Sequence, residues 1–336
     1  MLKKILFRAD ARYDIGMGDL MSLIHLSRYF EDDGWETYFL MRDYDEARRL
    51  VSKYRVKNRC FIPGPISVKD EIAFINRYCF MNDIGAVFAC ITQRPLLKYE
   101  GLDKKLIKGC VNFDGKVPCD WDLIVNWDVN AQRFYKRSEY PGTKFLTGPK
   151  HTILPYNFDW GKIRSRTHRD RPRNLMIGMG GADEDNFTEK IIKKLNEIGC
   201  GLKLYLLLGA GYRFKDSLLR ILKRTRFSYK IFENIDNVFK VYLKADLAIG
   251  SGGLTSSELV ATRTPALLIS LYKHQVARCR FFDRKGVAIY LGHRAAGIKK
   301  IRLPENPPEA LDLALKNQIH FGQDEIIKFF NQSLRR

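Results

Sequence analysis

The sequence has no apolar run approaching the length of a membrane span, no C-x-x-C pair and no cysteine with a local His at zinc-ligand spacing. Its seven cysteines, at 60, 79, 90, 110, 119, 200 and 279, are scattered and read as reduced thiols. Repeats, low-complexity tracts and a metal-binding acidic cluster are missing as well, so metal-independent action is expected. The Asp-x-Asp spacing at Asp43-Tyr44-Asp45 reads as a solvated helix cap. Before Asp10 the segment Met1-Leu2-Lys3-Lys4-Ile5-Leu6-Phe7-Arg8 is too short an apolar stretch for a secretory signal, and a cytoplasmic protein is expected. The charge is unbalanced: 58 Lys+Arg against 38 Asp+Glu leaves a net +20. Those basic residues are dispersed, as in Arg48-Arg49, Lys193-Lys194 and Lys299-Lys300, with no basic helix or aromatic-studded basic strand, which argues against nucleic acid. A phosphorylated substrate or an anionic membrane surface suits the same excess.

What is present is a long alternation of short apolar runs with amphipathic stretches, the sequence form of parallel strands covered by helices. Strands are expected near 4–7, 37–41, 59–62, 86–89, 110–113 and 123–125, with the clearest helices at 19–32 and 68–81. A charged stretch at 164–173, rich in Arg and with little to bury, reads as a linker or exposed loop. Strand signals restart at 174–178, 203–208, 229–232, 247–250, 266–271 and 288–291. The economical interpretation is two doubly wound units, an N-terminal domain at 1–157 and a C-terminal domain at 158–322. Residues 323–336 then carry Ile326, Ile327, Phe329, Phe330 and Leu334 at helical spacing. That helix needs a surface to cover and is expected to pack back on the N-terminal domain.

Glycines gather where expected strands end, which is where open α/β sheets bind ligands. The first group is Ile15-Gly16-Met17-Gly18-Asp19. Gly16 and Gly18 permit a tight turn before a helix, and Asp19 reads either as that helix's N-cap or as a catalytic carboxylate. The second, Met179-Gly180-Gly181-Ala182-Asp183, can present amides to phosphate oxygens. The third runs Gly250-Ser251-Gly252-Gly253-Leu254-Thr255-Ser256-Ser257-Glu258. There, amides at a helix start and the hydroxyls of Ser251 and Thr255 can hold a diphosphate. Glu258, one turn into the helix, can accept from both ribose hydroxyls; otherwise it is a solvated helix residue.

The third segment, extended through Thr264-Pro265-Ala266 and His274-Gln275, resembles the donor half of the lipid-II-forming N-acetylglucosaminyltransferase of peptidoglycan synthesis. More of the chain is similar to the nucleotide-sugar hydrolase of the pseudaminic acid pathway, which acts on a UDP-linked diacetamido-trideoxy sugar. Leu6-Phe7-Arg8-Ala9-Asp10, Gly16-Met17-Gly18, Asn112-Phe113-Asp114, Val129-Asn130-Ala131, Gly148-Pro149-Lys150 and Met179-Gly180-Gly181-Ala182-Asp183 follow its order. The resemblance implies a GT-B fold, two Rossmann-like domains facing across a cleft, with a UDP-type nucleotide sugar held by the C-terminal domain. It implies Ile235 at the base, Glu258 at the ribose, and Gly252, Gly253 and Leu254 at the diphosphate. It places Gly16, Gly18, Asp114, Asn130, His274 and Gln275 along the sugar and cleft.

The chain departs from these relatives on one side only. Both place a His where Asp19 stands, and the hydrolase pattern has an Arg at Ser22, an acid at Gly115 and a Tyr at His151. Its Asp-His pair is missing from Ala89-Cys90-Ile91-Thr92. Donor motifs kept beside a replaced water-and-sugar side imply a changed acceptor or chemistry. The expectation is glycosyl transfer in surface-glycan or nonulosonic-acid metabolism, with Asp19 as general base and His151 as a second candidate, catalytic or structural. The acceptor would be a glycan or a membrane-associated molecule, the latter met at the inner membrane surface. Nucleotide-sugar hydrolysis and non-catalytic nucleotide-sugar binding are the alternatives.

Overall fold

The computed structural model describes every residue except 1–2, 13, 92–98, 114, 116, 119, 157, 167–170, 200, 210, 234, 236, 304–321 and 336. The chain divides into two compact units: Met1–Tyr156 with His320–Arg336, and Asn157–Ile319.

The first unit is built on β1 (Lys4–Ala9), β2 (Glu36–Arg42), β3 (Asn58–Ile62), β4 (Ala86–Cys90), β5 (Ile107–Val111), β6 (Leu123–Asn126) and β7 (Lys144–Thr147). These strands form one parallel sheet in the order β3-β2-β1-β4-β5-β6-β7. Helices α1 (Gly18–Asp32), α2 (Asp45–Lys53) and α3 (Val68–Met81) connect its early strands. Ile5, Leu6 and Phe7 are each fully buried, so both faces of β1 are covered, as a parallel sheet requires. The second unit repeats the plan with β8 (Asn174–Gly178), β9 (Lys203–Leu208), β10 (Tyr229–Glu233), β11 (Leu247–Ser251), β12 (Ala266–Ser270) and β13 (Ile289–His293), in the order β10-β9-β8-β11-β12-β13. Its helices are α4 (Trp160–Arg164), α5 (Phe187–Ile198), α6 (Lys215–Leu222), α7 (Phe239–Tyr242), α8 (Leu254–Ala261), α9 (Gln275–Arg284) and α10 (Arg294–Lys299). In both sheets the order reverses beside the first strand, at β1/β4 and β8/β11, and such a reversal opens a crevice beyond the strand ends.

Three details differ from the sequence reading. The strand expected at 110–113 runs instead over Ile107–Val111. Lys108 and Gly109 disguise it: Lys108 is buried but paired with Asp120 at 2.5 Å, and a Cβ on Gly109 would come within 2.7 Å of the Phe88 ring. The edge strand β7 gave no signal because its four residues are mostly half-exposed, with Lys and Thr at the ends. Arg166, read as part of an exposed linker, docks instead. Its Nη1 donates to Thr262 O at 2.8 Å and to Thr264 Oγ1 at 2.7 Å, and Nη2 donates to Ala245 O. Burial lowers its pKa to about 10.

The last helix, α11 (Gly322–Ser333), belongs to the first unit. Phe330 is fully buried, with its ring edge-on to Phe30, Trp35 and Phe88 at centroid distances of 5.7, 6.1 and 6.1 Å. Gly322 lies against the His151 carbonyl so closely that no side chain fits there.

Candidate functional site

In the second unit the β8/β11 reversal holds a cavity of about 200 Å3. The turn after β8 supplies Gly180 and Gly181, the start of α8 supplies Thr255 and Glu258, and Ile235, Val238 and Leu207 close the apolar side. The turn needs its glycines. Gly180 has φ +94°, a conformation side chains rarely adopt, and a Cβ on Gly209 would strike the Gly181 carbonyl. Asp183 pins the same turn from below, accepting from Phe187 N at 2.7 Å and Thr188 N at 2.8 Å in the first turn of α5.

The Gly-rich segment after β11 divides its labour. Gly252 does not offer its amide to a ligand, since that N–H donates to Ile269 O at 3.1 Å. Its lack of a side chain serves packing: a Cβ would meet Cys279 Sγ at 2.5 Å and Gln275 Cβ at 2.9 Å. Gly253 is the N-cap of α8, and the amides of Leu254 and Thr255 have no carbonyl behind them in their own helix. Ser251 is buried at the strand end, its Oγ 3.7 Å from where a Gly180 Cβ would stand. Gln275 is buried too, and its Oε1 accepts from Leu271 N at 2.8 Å, bracing the β12–α9 turn against which Gly252 packs. His274 is exposed and stacks on Tyr272 with centroids 5.7 Å apart.

Glu258 faces the cavity. Its Oε2 accepts from the Tyr242 hydroxyl at 2.6 Å. Burial raises its pKa above the ordinary carboxylate value, and the Tyr242 bond pulls the other way. It is therefore not a solvated helix residue.

The first unit has a counterpart at its β1/β4 reversal, a cavity of about 480 Å3. Asp10, Arg12, Asp19, Arg42 and Tyr44 give it a polar lining, with Ile15 and Ile91 beside them. Gly16, at φ +86°, donates its N–H to Arg12 O at 2.9 Å and turns the chain into α1. Gly18 opens that helix. Asp19 is not the N-cap: Met17 holds that position, and Asp19 lies inside the first turn, where the helix dipole favours a carboxylate. The buried Cys90 thiol hydrogen-bonds to Asp19, and burial, then the Asp19 charge, hold that thiol well above its ordinary pKa.

Asp10, Arg12, Arg42 and Tyr44 were not read from the sequence as cavity residues. One signal existed: Arg8 and Asp10 interrupt an apolar strand end, and buried charges persist only when paired. Arg8 donates to Asp10 Oδ1 at 2.6 Å and to Glu71 Oε1 at 2.7 Å, while Tyr99 donates to Glu71 at 2.7 Å. Asp10 also accepts from Arg42 N at 2.8 Å. Tyr44 precedes α2 under the Arg12 guanidinium, 4.9 Å from its ring centre, while Asp43 pairs with Arg48.

Two expected residues stand elsewhere. His151 is 4% exposed and faces Glu325 of α11 at 3.8 Å, burial lowers its pKa against the pull of Glu325, and it is a packing residue that does not line the Asp19 cavity. Asn130 is exposed at the start of a short 3-10 turn and does not line the cavity. Asp114 lies outside the described residues. Among the described residues, no group of three or more His, Cys, Asp or Glu is placed to hold a metal ion, and no helix is long and apolar enough to cross a membrane.

No family model matches the chain. It is 29% identical over 293 residues to an uncharacterized protein of Methanocaldococcus jannaschii, spanning 57% of that relative's length. To the spore coat polysaccharide biosynthesis protein SpsG of Bacillus subtilis it is 24% identical, over 84% of this chain and 82% of the relative. A shorter match, 31% over 124 residues, covering 35% of this chain and 32% of the relative, links it to the UDP-N-acetylglucosamine–N-acetylmuramyl-(pentapeptide) pyrophosphoryl-undecaprenol N-acetylglucosamine transferase of Salinibacter ruber. Among solved structures it superposes on MurG of Acinetobacter baumannii with TM-score 0.66 at 14% identity, covering 98% of this chain and 99% of that one. On Staphylococcus aureus MnaA, solved with UDP, the TM-score is 0.60 at 11% identity, covering 99% and 97%. Two parallel Rossmann-like sheets in one chain, matched over nearly its whole length by these structures, are the GT-B fold, and the chain is similar to SpsG in sequence and to MurG in fold.

Proposed function

We propose that the chain is a glycosyltransferase that takes a sugar from a nucleoside diphosphate donor, of UDP type, and passes it to a hydroxyl-bearing acceptor in surface-polysaccharide synthesis. One observation carries the reading: Gly180 and Gly181, Ile235, and Thr255 and Glu258, from three separate stretches of sequence, line a single cavity at a strand-order reversal. Such a pocket suits a nucleotide. Free amides at the α8 N-terminus suit the diphosphate, a carboxylate the ribose, and an aliphatic wall the base. The part of SpsG in spore coat polysaccharide biosynthesis and the UDP bound by MnaA support this reading.

Asp19 is the general base of this proposal. The acceptor oxygen bonds to the anomeric carbon as the bond from that carbon to the diphosphate oxygen breaks. The hydroxyl proton passes to Asp19, and the electron pair departs on the diphosphate. A cavity of about 480 Å3 around Asp19 is far larger than one water needs, which favours a bulky acceptor over hydrolysis.

The test is a melting screen against nucleotides followed by turnover of the stabilising donor. UDP should raise the melting temperature, and sugar release should depend on added acceptor. Stoichiometric free sugar without acceptor would replace transfer by hydrolysis. Binding with no turnover of any donor would leave a binding protein.

A further inference from the structure

The carboxylate of Glu258 is not offered whole to the cavity. Tyr242 stands behind it on α7, 1% exposed, and its hydroxyl takes Oε2 at 2.6 Å. Among the described residues no side chain donates a hydrogen bond to Oε1. Tyr242 is itself held rigidly. Its ring packs in the second unit's core with Met176 and Leu259, and its carbonyl accepts from Ala245 N at 3.2 Å. The geometry points to Tyr242 as a positioning residue for nucleotide binding, one that pins Glu258 through Oε2 and leaves Oε1 as the acceptor for a ribose hydroxyl of a nucleoside diphosphate.

This inference rests on the nucleotide reading of the cavity and adds two consequences. With Oε2 committed inward, the ribose hydroxyls meet the carboxylate through Oε1 instead of through one oxygen each. The hydroxyl of Tyr242 also opposes the rise that burial imposes on the Glu258 pKa. Among the described residues lining the cavity, Glu258 and Tyr242 are the titratable ones. The remaining described neighbours are glycines, Thr255 and aliphatic side chains. Ribose binding needs the ionised carboxylate and is lost as pH falls through its pKa. Removing the Tyr242 hydroxyl moves that loss to higher pH.

The experiment is UDP titration of the full chain by calorimetry from acid to neutral pH, for the wild type, Tyr242→Phe and Glu258→Gln. Phenylalanine keeps the ring and its packing, and circular dichroism melts verify the fold. Tyr242→Phe should weaken UDP on the order of tenfold at neutral pH, the scale of one hydrogen bond to a charged group, and shift its acid limb upward. Glu258→Gln should bind weakly and keep only the acid limb that the terminal phosphate of UDP contributes. Wild-type affinity and an unmoved acid limb in a folded Tyr242→Phe, with Glu258→Gln impaired, would overturn the role of Tyr242 and spare the nucleotide pocket. Failure of UDP to bind the wild type would overturn both. If the Tyr242→Phe chain does not fold, Tyr242→Trp and the wild-type acid limb decide: a wild type whose affinity is flat into acid refutes the inference.

Discussion

Arg8 Nε and Glu71 Oε1 lie 2.7 Å apart with both side chains sealed from water, the first 1% and the second 0% exposed. The same guanidinium holds Asp10, and Arg42 reaches the other Glu71 oxygen at 3.4 Å, so two cations face two carboxylates beside the Asp19 cavity. Taking ions out of water costs several kcal/mol apiece, and the loss of one partner leaves the others uncompensated.

Arg8→Met should therefore destabilise the first unit by about 3–5 kcal/mol, seen as a lower midpoint in urea. A midpoint within error of wild type would mean that the network relaxes onto water or Arg42 instead.

The docking of α11 is tested by Phe330→Ala. Deleting a fully buried aromatic that meets Phe30, Trp35 and Phe88 should cost about 3–5 kcal/mol in the unfolding of the first unit. Proteolysis near residue 322 should rise in parallel, and a chain equally resistant to protease and denaturant would show that the helix contributes little.

Asp19→Asn retains shape and removes the base. Turnover should fall by about 10²–10⁴-fold while UDP affinity changes little, since Asp19 lies in the first unit and the nucleotide residues in the second. Full activity in stopped-time product assays takes Asp19 out of the mechanism.

Glu258 carries a stability consequence with a definite sign. Burial raises its folded-state pKa above the unfolded value, so the folded chain holds that proton more tightly. Its ionised form costs stability above the folded pKa, and that cost disappears as pH falls below the unfolded value. Glu258→Gln should accordingly melt higher than wild type at neutral pH while losing nucleotide affinity, with the gain shrinking in acid. A neutral-pH melt below wild type would contradict the assigned direction.

The parallel sheets were legible because their strands are buried on both faces and stand out as apolar runs. Helix 68–81 agrees with the expected bounds to the residue, and the structure shows Ser67 capping it, its Oγ accepting from Asp70 N at 3.1 Å. β7 and Lys108 were not, since an edge strand buries little and a buried lysine looks exposed until its partner Asp120 is known. The segments after β8 and β11 announced themselves by their glycines, because backbone conformation is written locally.

Chain composition and pattern thus settled two doubly wound units and the stretches that carry their turns, since periodicity and glycine are properties of neighbouring residues. Tertiary structure alone decided that Gly252 spends its amide in the sheet, that Tyr242 claims half of the Glu258 carboxylate and that His151 is packed away under α11. Each of those depends on a partner many residues distant, and hydrogen bonding and burial are set by which groups meet in space.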